Sequence, residues 1–139
     1  MKYLLDTNVI SELIARHPNP RVVEWIDQLD PDEIYLSVIT IGEIRKGIEK
    51  LPSSKRKQTI QEWLATDLLL RFHGHIVEID TPTMLRWGEL TGGLEKIGKP
   101  MSAVDSLIAA IALEGSFTLV TRNEQDFKNA DISIINPWK

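Results

Sequence analysis

Short apolar runs alternate with longer amphipathic stretches along the 139 residues, and this alternation limits the fold more than any other feature. A run such as Ile34–Val38 has the length and composition of a buried strand, whereas Thr83–Ile97 repeats its apolar residues at helical spacing. Strands that alternate with helices are typical of an α/β domain with a central, mainly parallel sheet. We therefore predict this fold class.

The connections between these segments are short, so we expect a single domain over residues 1–139. Pro20 and Pro82 suit the first turns of helices, and Thr40, Ser53 and Ser102 are expected N-caps. The predicted strands are Tyr3–Leu5, Ile34–Val38, Ile76–Ile79, Phe117–Val120 and Ile132–Ile135. The predicted helices are Val9–Ala15, Arg21–Leu29, Ile41–Leu51, Ser54–Phe72, Thr83–Ile97 and Ala103–Glu114.

Composition narrows the chemistry that this domain can perform. The chain has no cysteine, which excludes disulfides, cysteine-ligated zinc and thiol nucleophiles, so a metal site must use oxygen or histidine ligands. No signal peptide or membrane-spanning run is visible, and we expect a cytoplasmic protein with no membrane partner. The net charge of -4 gives no general attraction to nucleic acids, so RNA binding would require a local basic patch.

Three carboxylates occupy junctions between predicted elements. Asp6 follows the first strand, and Glu43 and Asp105 lie in the first turns of predicted helices. In parallel α/β sheets these junctions meet at one edge, where ligands bind. Neighbouring carboxylates repel unless they share a cation, and oxygen ligands suit Mg²⁺ or Mn²⁺. The pattern therefore predicts a divalent-metal site for phosphoryl chemistry.

A purely structural role is an alternative for two of these acids. Thr40 with Glu43, and Ser102 with Asp105, both fit a capping box, in which the acid only satisfies backbone N–H groups. We favour that role for Glu43 considered alone. It fits Asp105 less well, because its helix face continues into small and apolar residues.

Two further groups of polar residues are candidates for the site and for substrate binding. Asn123 and Asp126 follow the fourth predicted strand and could act as outer metal ligands or position water. A basic stretch could bind phosphates, although a solvated helix face is the commoner explanation of such a cluster. Its members are Arg45, Lys46, Lys50, Lys55, Arg56 and Lys57, with Lys96 and Lys99 as further candidates.

Two other functional classes compete with this interpretation. An aspartyl phosphatase or phosphotransferase would use Asp6 as nucleophile, but Asn8 and Ile10 break the usual Asp-x-Asp-x-Thr pattern. A non-enzymatic receiver-like, metal-binding or nucleic-acid-binding module is the other alternative. Receivers have an acidic pair after the first strand and a late lysine, and this sequence has neither.

Four segments together resemble the motifs of PIN-domain ribonucleases, most closely the VapC and FitB toxins. They are Leu4–Glu12, Leu36–Ile44, Ala103–Ala110 and Leu119–Asn123, and the closing Asn136-Pro137-Trp138 is also similar. The resemblance covers essentially the whole chain. It implies a three-layer α/β/α sandwich and an acidic pocket that binds Mg²⁺ or Mn²⁺.

The resemblance also implies a function, which is RNA cleavage by a toxin held inactive by a cognate VapB-like antitoxin. Such toxins are often homodimers, and their products carry a 5′-phosphate and a 3′-hydroxyl. Asp6, Glu43 and Asp105 match the three acids of the family pattern. Relatives often have aspartate where this chain has Asn123, and the next acid here is Asp126.

Overall fold

The computed structural model describes residues 1–139 and contains one sheet in which all neighbouring strands are parallel. The sheet order is β3-β2-β1-β4-β5, so β1 is the central strand and lies between β2 and β4. This arrangement confirms the predicted fold class. The strands are β1 (Tyr3–Leu5), β2 (Ile34–Ser37), β3 (Ile76–Val77), β4 (Thr118–Val120) and β5 (Ile134–Ile135).

Seven α-helices connect and cover the strands, and none is both long enough and apolar enough to cross a membrane. Two 3₁₀ turns, Pro31–Glu33 and Glu124–Phe127, and a π-helical segment, Trp63–Leu68, complete the structure. The helices are α1 (Thr7–Ile14), α2 (Pro20–Asp27), α3 (Val38–Glu49), α4 (Lys55–Glu62), α5 (Leu69–Arg71), α6 (Thr81–Lys96) and α7 (Ala103–Gly115).

Alternate residues of the strands point into two separate cores, one on each face of the sheet. In β1, Leu5 joins the core covered by α1 to α5, whereas Leu4 joins the core covered by α6 and α7. Val120 and Leu119 divide in the same way in β4. The molecule is therefore a three-layer α/β/α sandwich, as expected.

Several predicted boundaries were wrong by a few residues. The second strand ends at Ser37, because the Ser37 hydroxyl accepts the Thr40 N–H at 3.2 Å and caps α3, which begins at Val38. The cap of α3 is therefore Ser37 instead of Thr40. Ser54, instead of Ser53, caps α4 through the Lys57 N–H. The first strand has its predicted bounds, whereas β3, β4 and β5 are each shorter at one end than the apolar runs indicated.

Candidate active site

Asp6 directly follows the central strand β1 and is also the N-cap of α1. The Asp6 backbone N–H donates to the Val120 carbonyl at 2.9 Å, which ties the end of β1 to the end of β4. The Asp6 side chain caps α1, because Oδ1 accepts the Thr7 N–H at 2.8 Å. The turn from strand to helix thus fixes the Asp6 carboxylate at the carboxyl edge of the sheet.

Residues after β4 hold the second oxygen of Asp6. The Thr121 hydroxyl donates to Asp6 Oδ2 at 2.8 Å, and the Asn8 amide donates to the same oxygen at 3.2 Å. Asn8 also donates to the Thr121 hydroxyl at 3.1 Å and accepts the Arg122 N–H at 3.2 Å. Asp6 and Thr121 are buried, with 5% and 0% exposure. Two side-chain donors therefore restrain Asp6 Oδ2, and the Arg122 N–H in turn holds Asn8 in place.

Glu43 reaches the same region from the middle of α3. Because Ser37 caps that helix, Glu43 lies beyond its first turn, and the expected capping box with Thr40 is wrong. The Glu43 carboxylate instead accepts a hydrogen bond from the Thr7 hydroxyl, with 2.5 Å between Oγ1 and Oε1. Glu43 is thus held against α1, next to the Asp6 turn.

Asp105 lies in the first turn of α7, where it has a local structural role as well as a place in the site. Its backbone N–H donates to the hydroxyl of Ser102, the N-cap, at 3.2 Å. Along its helix face, Ile108, Ala109 and Ala112 are buried, as their spacing predicted. The Asp105 side chain is half-buried and faces the cavity that Asp6 and Glu43 also line.

The three predicted acids therefore meet in one cavity of about 460 Å³. Glu12 adds a fourth carboxylate to its wall, and Arg122 is the single basic residue. None of the four carboxylates forms a salt bridge in the molecule. The lining residues are Asp6, Thr7, Asn8, Ser11, Glu12, Ala15, Glu43, Asp105, Ile108, Arg122, Asn123 and Trp138.

The shared cavity affects the ionisation of its carboxylates. Burial raises the pKa of Asp6 above its ordinary value, the hydrogen bonds from Thr121 and Thr7 oppose the rise, and the charges of Glu43 and Asp105 add to it. Burial also raises the pKa of Asp105, with smaller contributions from the charges of Asp126 and Glu43. These carboxylates are therefore close enough to disfavour one another's charge.

The donor set is suited to a hard divalent cation. It offers carboxylate, amide and hydroxyl oxygens and no sulfur or imidazole, and none of its carboxylates is paired in a salt bridge. No three carboxylate or histidine side chains lie close enough to hold one ion between them. Mg²⁺ commonly takes one or two protein carboxylates and fills its shell with water and phosphate, so the residues present fit such an ion.

The two candidates for a fourth site residue have different positions. Asn123 lines the acidic cavity, and its backbone N–H donates to the Thr121 hydroxyl at 3.1 Å. Asp126 is exposed and lines a neighbouring groove, although its charge raises the pKa of Asp105. The amide is therefore within the cavity, and the carboxylate is beside it.

The structure divides the basic stretch into residues with different surroundings. Arg45 pairs with Glu49 at 3.0 Å on the surface, and the Lys57 ammonium donates to the Leu51 carbonyl at 3.1 Å near the end of α3. Lys46 and Lys50 instead line a groove of about 520 Å³ that also includes Glu43. Lys55 and Arg56 are exposed at the start of α4. Two of the six residues, Lys46 and Lys50, therefore share a groove with Glu43.

Several residues that build the cavity were not predicted from the sequence. Thr7, Asn8 and Thr121 position the carboxylates through hydrogen bonds, and their place beside Asp6 at strand ends was the available signal. Arg122 and Trp138 also line the cavity. Trp138 does contact the core as well. Because Trp138 is far from Asp6 in the sequence, its place in the wall of the cavity could not be predicted.

The fold and site define a class of protein, an α/β/α sandwich with an acidic cavity at the carboxyl end of its central strand. The sequence profile of the PIN domain matches residues 3–133, and the chain belongs to this family.

Individual relatives span nearly the same length as this chain. Toxin FitB of Neisseria gonorrhoeae is 40% identical over 135 residues, covering 97% of each chain. VapC ribonuclease Y4jK of Sinorhizobium fredii is 35% identical over 136 residues, covering 98% of this chain and 97% of the relative. The crystal structure of FitAcB from Neisseria gonorrhoeae superposes with a TM-score of 0.93 at 40% identity, covering 98% of both chains.

Proposed function

We propose that this protein is a Mg²⁺- or Mn²⁺-dependent ribonuclease that hydrolyses RNA phosphodiester bonds as the toxin of a toxin-antitoxin pair. The observation that carries the proposal is the meeting of Asp6, Glu43 and Asp105 in one cavity without a salt bridge. Relatives named as a toxin and as a ribonuclease, aligned over nearly the whole chain, support the biological role.

Asp6 and Asp105 would hold the ion, and Asn123, which lines the same cavity, would contribute an amide oxygen. A bound Mg²⁺ or Mn²⁺ supplies Lewis-acid catalysis, lowering the pKa of water and neutralising charge on the phosphoryl group. Glu43 would orient the attacking water, because its second carboxylate oxygen remains free while Thr7 holds Oε1. The proposed products carry a 5′-phosphate and a 3′-hydroxyl.

The aspartyl-phosphatase alternative has less support. Asn8 and Ile10 break its usual Asp-x-Asp-x-Thr pattern, and a relative that matches 98% of this chain is named as a VapC ribonuclease. Asp6 Oδ1 accepts a single N–H and keeps a lone pair that a metal ion can take. We therefore assign Asp6 a metal-binding role.

Among the basic residues, we assign RNA contacts first to Lys46 and Lys50. Both line the groove that Glu43 shares with the acidic cavity, so a strand lying in that groove would enter the site beside Glu43. Arg45 and Lys57 are occupied by Glu49 and by backbone carbonyls. They are less available to phosphates than the two groove lysines.

A VapB-like antitoxin is the proposed protein partner. A narrow apolar cavity of about 160 Å³ lies between α1, α3 and α4 and shares Thr7, Ser11 and Glu43 with the acidic site. A segment seated there would block access to the carboxylates. The expected homodimer remains a prediction, and analytical ultracentrifugation of the isolated toxin tests it. Exposed apolar residues available to a second copy are Leu70, Leu85 and Ile97.

RNA cleavage under controlled metal content tests the proposed function. Purified protein should cleave RNA with Mg²⁺ or Mn²⁺, lose activity in EDTA and recover it when the ion is restored. Asp6→Asn and Asp105→Asn should each reduce cleavage by more than about 100-fold, because changes to supporting residues alone already cost about 10- to 100-fold. Asparagine keeps much of the shape and capping ability of aspartate, so both variants should fold.

Arg86→Gln serves as a matched surface control, because Arg86 pairs with Glu114 away from the cavity and the exposed pair contributes little to stability. Full activity after exhaustive chelation would contradict metal dependence. Normal turnover by Asp105→Asn with an unchanged melting curve would assign Asp105 to helix capping alone.

A further inference from the structure

One basic residue, Arg122, lines the acidic cavity, and no salt bridge accounts for the position of its side chain. Arg122 follows Thr121 directly, lines the cavity with four carboxylates, and forms no salt bridge with any of them. Its guanidinium instead lies over the indole of Trp138, with 5.3 Å between Cζ and the ring centroid. An exposed arginine held in this way keeps its hydrogen-bond donors free.

We propose that Arg122 is a phosphate-binding residue of the RNA site and that Trp138 is the residue that positions it. The inference rests on the proposed ribonuclease function and identifies a substrate contact within it. The chemistry recognised is the phosphodiester backbone of a single RNA strand next to the bond that is cut.

Backbone contacts fix the base of the Arg122 side chain. Its N–H donates to Asn8 Oδ1 at 3.2 Å, and Asn8 in turn donates to Asp6. The Arg122 carbonyl accepts the Asn136 amide at 3.5 Å. The residue is thereby tied both to the Asp6 turn and to the C-terminal segment, so its guanidinium has a defined position relative to the carboxylates.

Trp138 is equally restrained, which makes its ring a fixed support. Its indole N–H lies 3.3 Å from Glu12 Oε1, and its backbone N–H donates to Asn136 Oδ1 at 3.0 Å. Its carbonyl accepts the Arg21 guanidinium at 3.3 Å, and its ring also packs against the core. Glu12 is thus occupied by Trp138 and by the Asn19 N–H at 3.2 Å, which leaves Arg122 unpaired.

Arg122 and Trp138 separate the acidic cavity from a second groove of about 470 Å³. That groove is also lined by Glu124, Gln125, Asp126, Asn136 and Lys139. Lys139 pairs with Glu124 at 2.7 Å, so Arg122 is the one cation of the groove without an ion pair. A guanidinium binds a phosphate through two parallel N–H donors. An RNA strand with its scissile phosphate at the carboxylates and its next phosphate on Arg122 would continue into this groove.

Steady-state cleavage of a fluorescent single-stranded RNA by the full-length protein tests the proposal. Arg122→Gln should raise KM by about 10-fold or more with a smaller change in kcat, and should reduce the slope of log KM against log salt by about 0.7. Arg122→Lys should restore the salt slope but only part of the affinity, because lysine cannot form the planar, bidentate contact. Arg86→Gln, which removes the same charge elsewhere, should match the wild type.

Trp138→Leu should raise KM as Arg122→Gln does. Trp138→Phe keeps an aromatic ring under the guanidinium, so its KM should lie between those of Trp138→Leu and the wild type. If the wild-type protein cleaves RNA and Arg122→Gln matches Arg86→Gln in KM and salt slope, the role of Arg122 is overturned while the proposed function stands. A loss of kcat with an unchanged salt slope also overturns it. An inactive wild-type protein would overturn the proposed function itself.

Discussion

The two carboxylates expected to hold the ion, Asp6 and Asp105, line the same cavity but are anchored in different ways. Asp6 ends a central strand, and three hydrogen bonds from Thr7, Asn8 and Thr121 restrain its two oxygens. Asp105 stands at the start of α7, is half-buried, and depends locally on the Ser102 cap. The protein thus fixes one carboxylate firmly and leaves the other more exposed.

This difference between the two carboxylates affects both the stability of the ion-free protein and the binding of an ion. Burial of Asp6 raises its pKa even though its hydrogen bonds favour the charged form, so the folded protein without a cation holds an unfavourable charge. A divalent cation relieves that repulsion, and the energy appears as binding affinity. Asp105 can adjust to the ion or substrate because fewer contacts restrain it. We infer that Asp6 sets the position of the ion and Asp105 completes its binding.

The largest expected effect is the difference in activity between a variant that removes a hydrogen bond to Asp6 and a variant that removes the helix cap next to Asp105. Thr121→Val removes the hydroxyl that bonds Asp6 while keeping the size of the side chain, and should reduce cleavage by about 10- to 100-fold. Ser102→Ala removes the cap of α7, and should cost about 1 kcal/mol of stability with little loss of activity. Cleavage rates and thermal unfolding, measured together, check both expectations.

Thr121→Ser is the matched control, since it keeps the hydroxyl and loses only a methyl group. It should retain most of the activity that Thr121→Val loses. Equal activity losses in Thr121→Val and Ser102→Ala would show that both carboxylates depend on their supports to the same degree. The contrast between the two carboxylates would then be wrong.

The strand-end carboxylates could be predicted from the sequence because parallel strands bring their carboxyl ends to one edge. Asp6 required only the recognition of an acid after an apolar run. The role of Glu43 was harder to predict, because Thr40 and Glu43 have the spacing of a capping box. The actual cap of the helix, Ser37, had been assigned to a strand. Local patterns of this kind cannot distinguish a helix start from a strand end when the intervening residues are apolar and β-branched.

Contacts between distant segments could not be obtained from the sequence. Trp138 meets Arg122 and Glu12 only because the segment after β5 returns across the end of the sheet. The stretch Ser54–Phe72 was predicted as one helix, but Trp63–Leu68 is π-helical and divides α4 from α5. Such a change in helical pitch depends on how Leu64 and Leu68 pack into the core, which helical periodicity alone does not specify.

The raised pKa of Asp6 gives the second prediction, which concerns pH. A carboxyl with a raised pKa binds its proton more strongly in the folded state than in the unfolded state. Its contribution to stability therefore falls as pH rises from the ordinary value of 3.8 through the raised pKa. Without divalent ions, the stability of the wild type relative to Asp6→Asn should therefore fall as pH rises through this window.

Ion binding should show the opposite dependence on pH, because the ligand must be deprotonated. Stabilisation of the wild type by Mg²⁺ should increase as pH rises through the same window, and Asp6→Asn should lack this dependence. Melting temperatures at a series of pH values, with EDTA or with Mg²⁺, provide both measurements. A constant difference between the two proteins across all pH values would show that Asp6 is not the titrating group.

The smallest effects are expected where the cavity meets the neighbouring groove. Asn123 lines the cavity but contributes no charge, whereas Asp126 lies outside it and affects Asp105 through its charge. Asn123→Asp adds a fourth charge near the ion and should tighten Mg²⁺ binding. Asp126→Ala should cost less activity than Asp6→Asn or Asp105→Asn. It should also lower the pKa of Asp105, because it removes a like charge.

Calorimetric titration of each metal-free variant with Mg²⁺, without RNA, checks the stoichiometry and affinity. Asp6 and Asp105 are the proposed protein ligands, and one or two carboxylates are enough for one ion, so the wild type should bind a single Mg²⁺ tightly. A second tight ion in the wild type, or an Asp126→Ala variant as inactive as Asp105→Asn, would place Asp126 among the ligands. In that case the ligands of the ion would come from the turn after β4 as well as from the end of β1 and the start of α7.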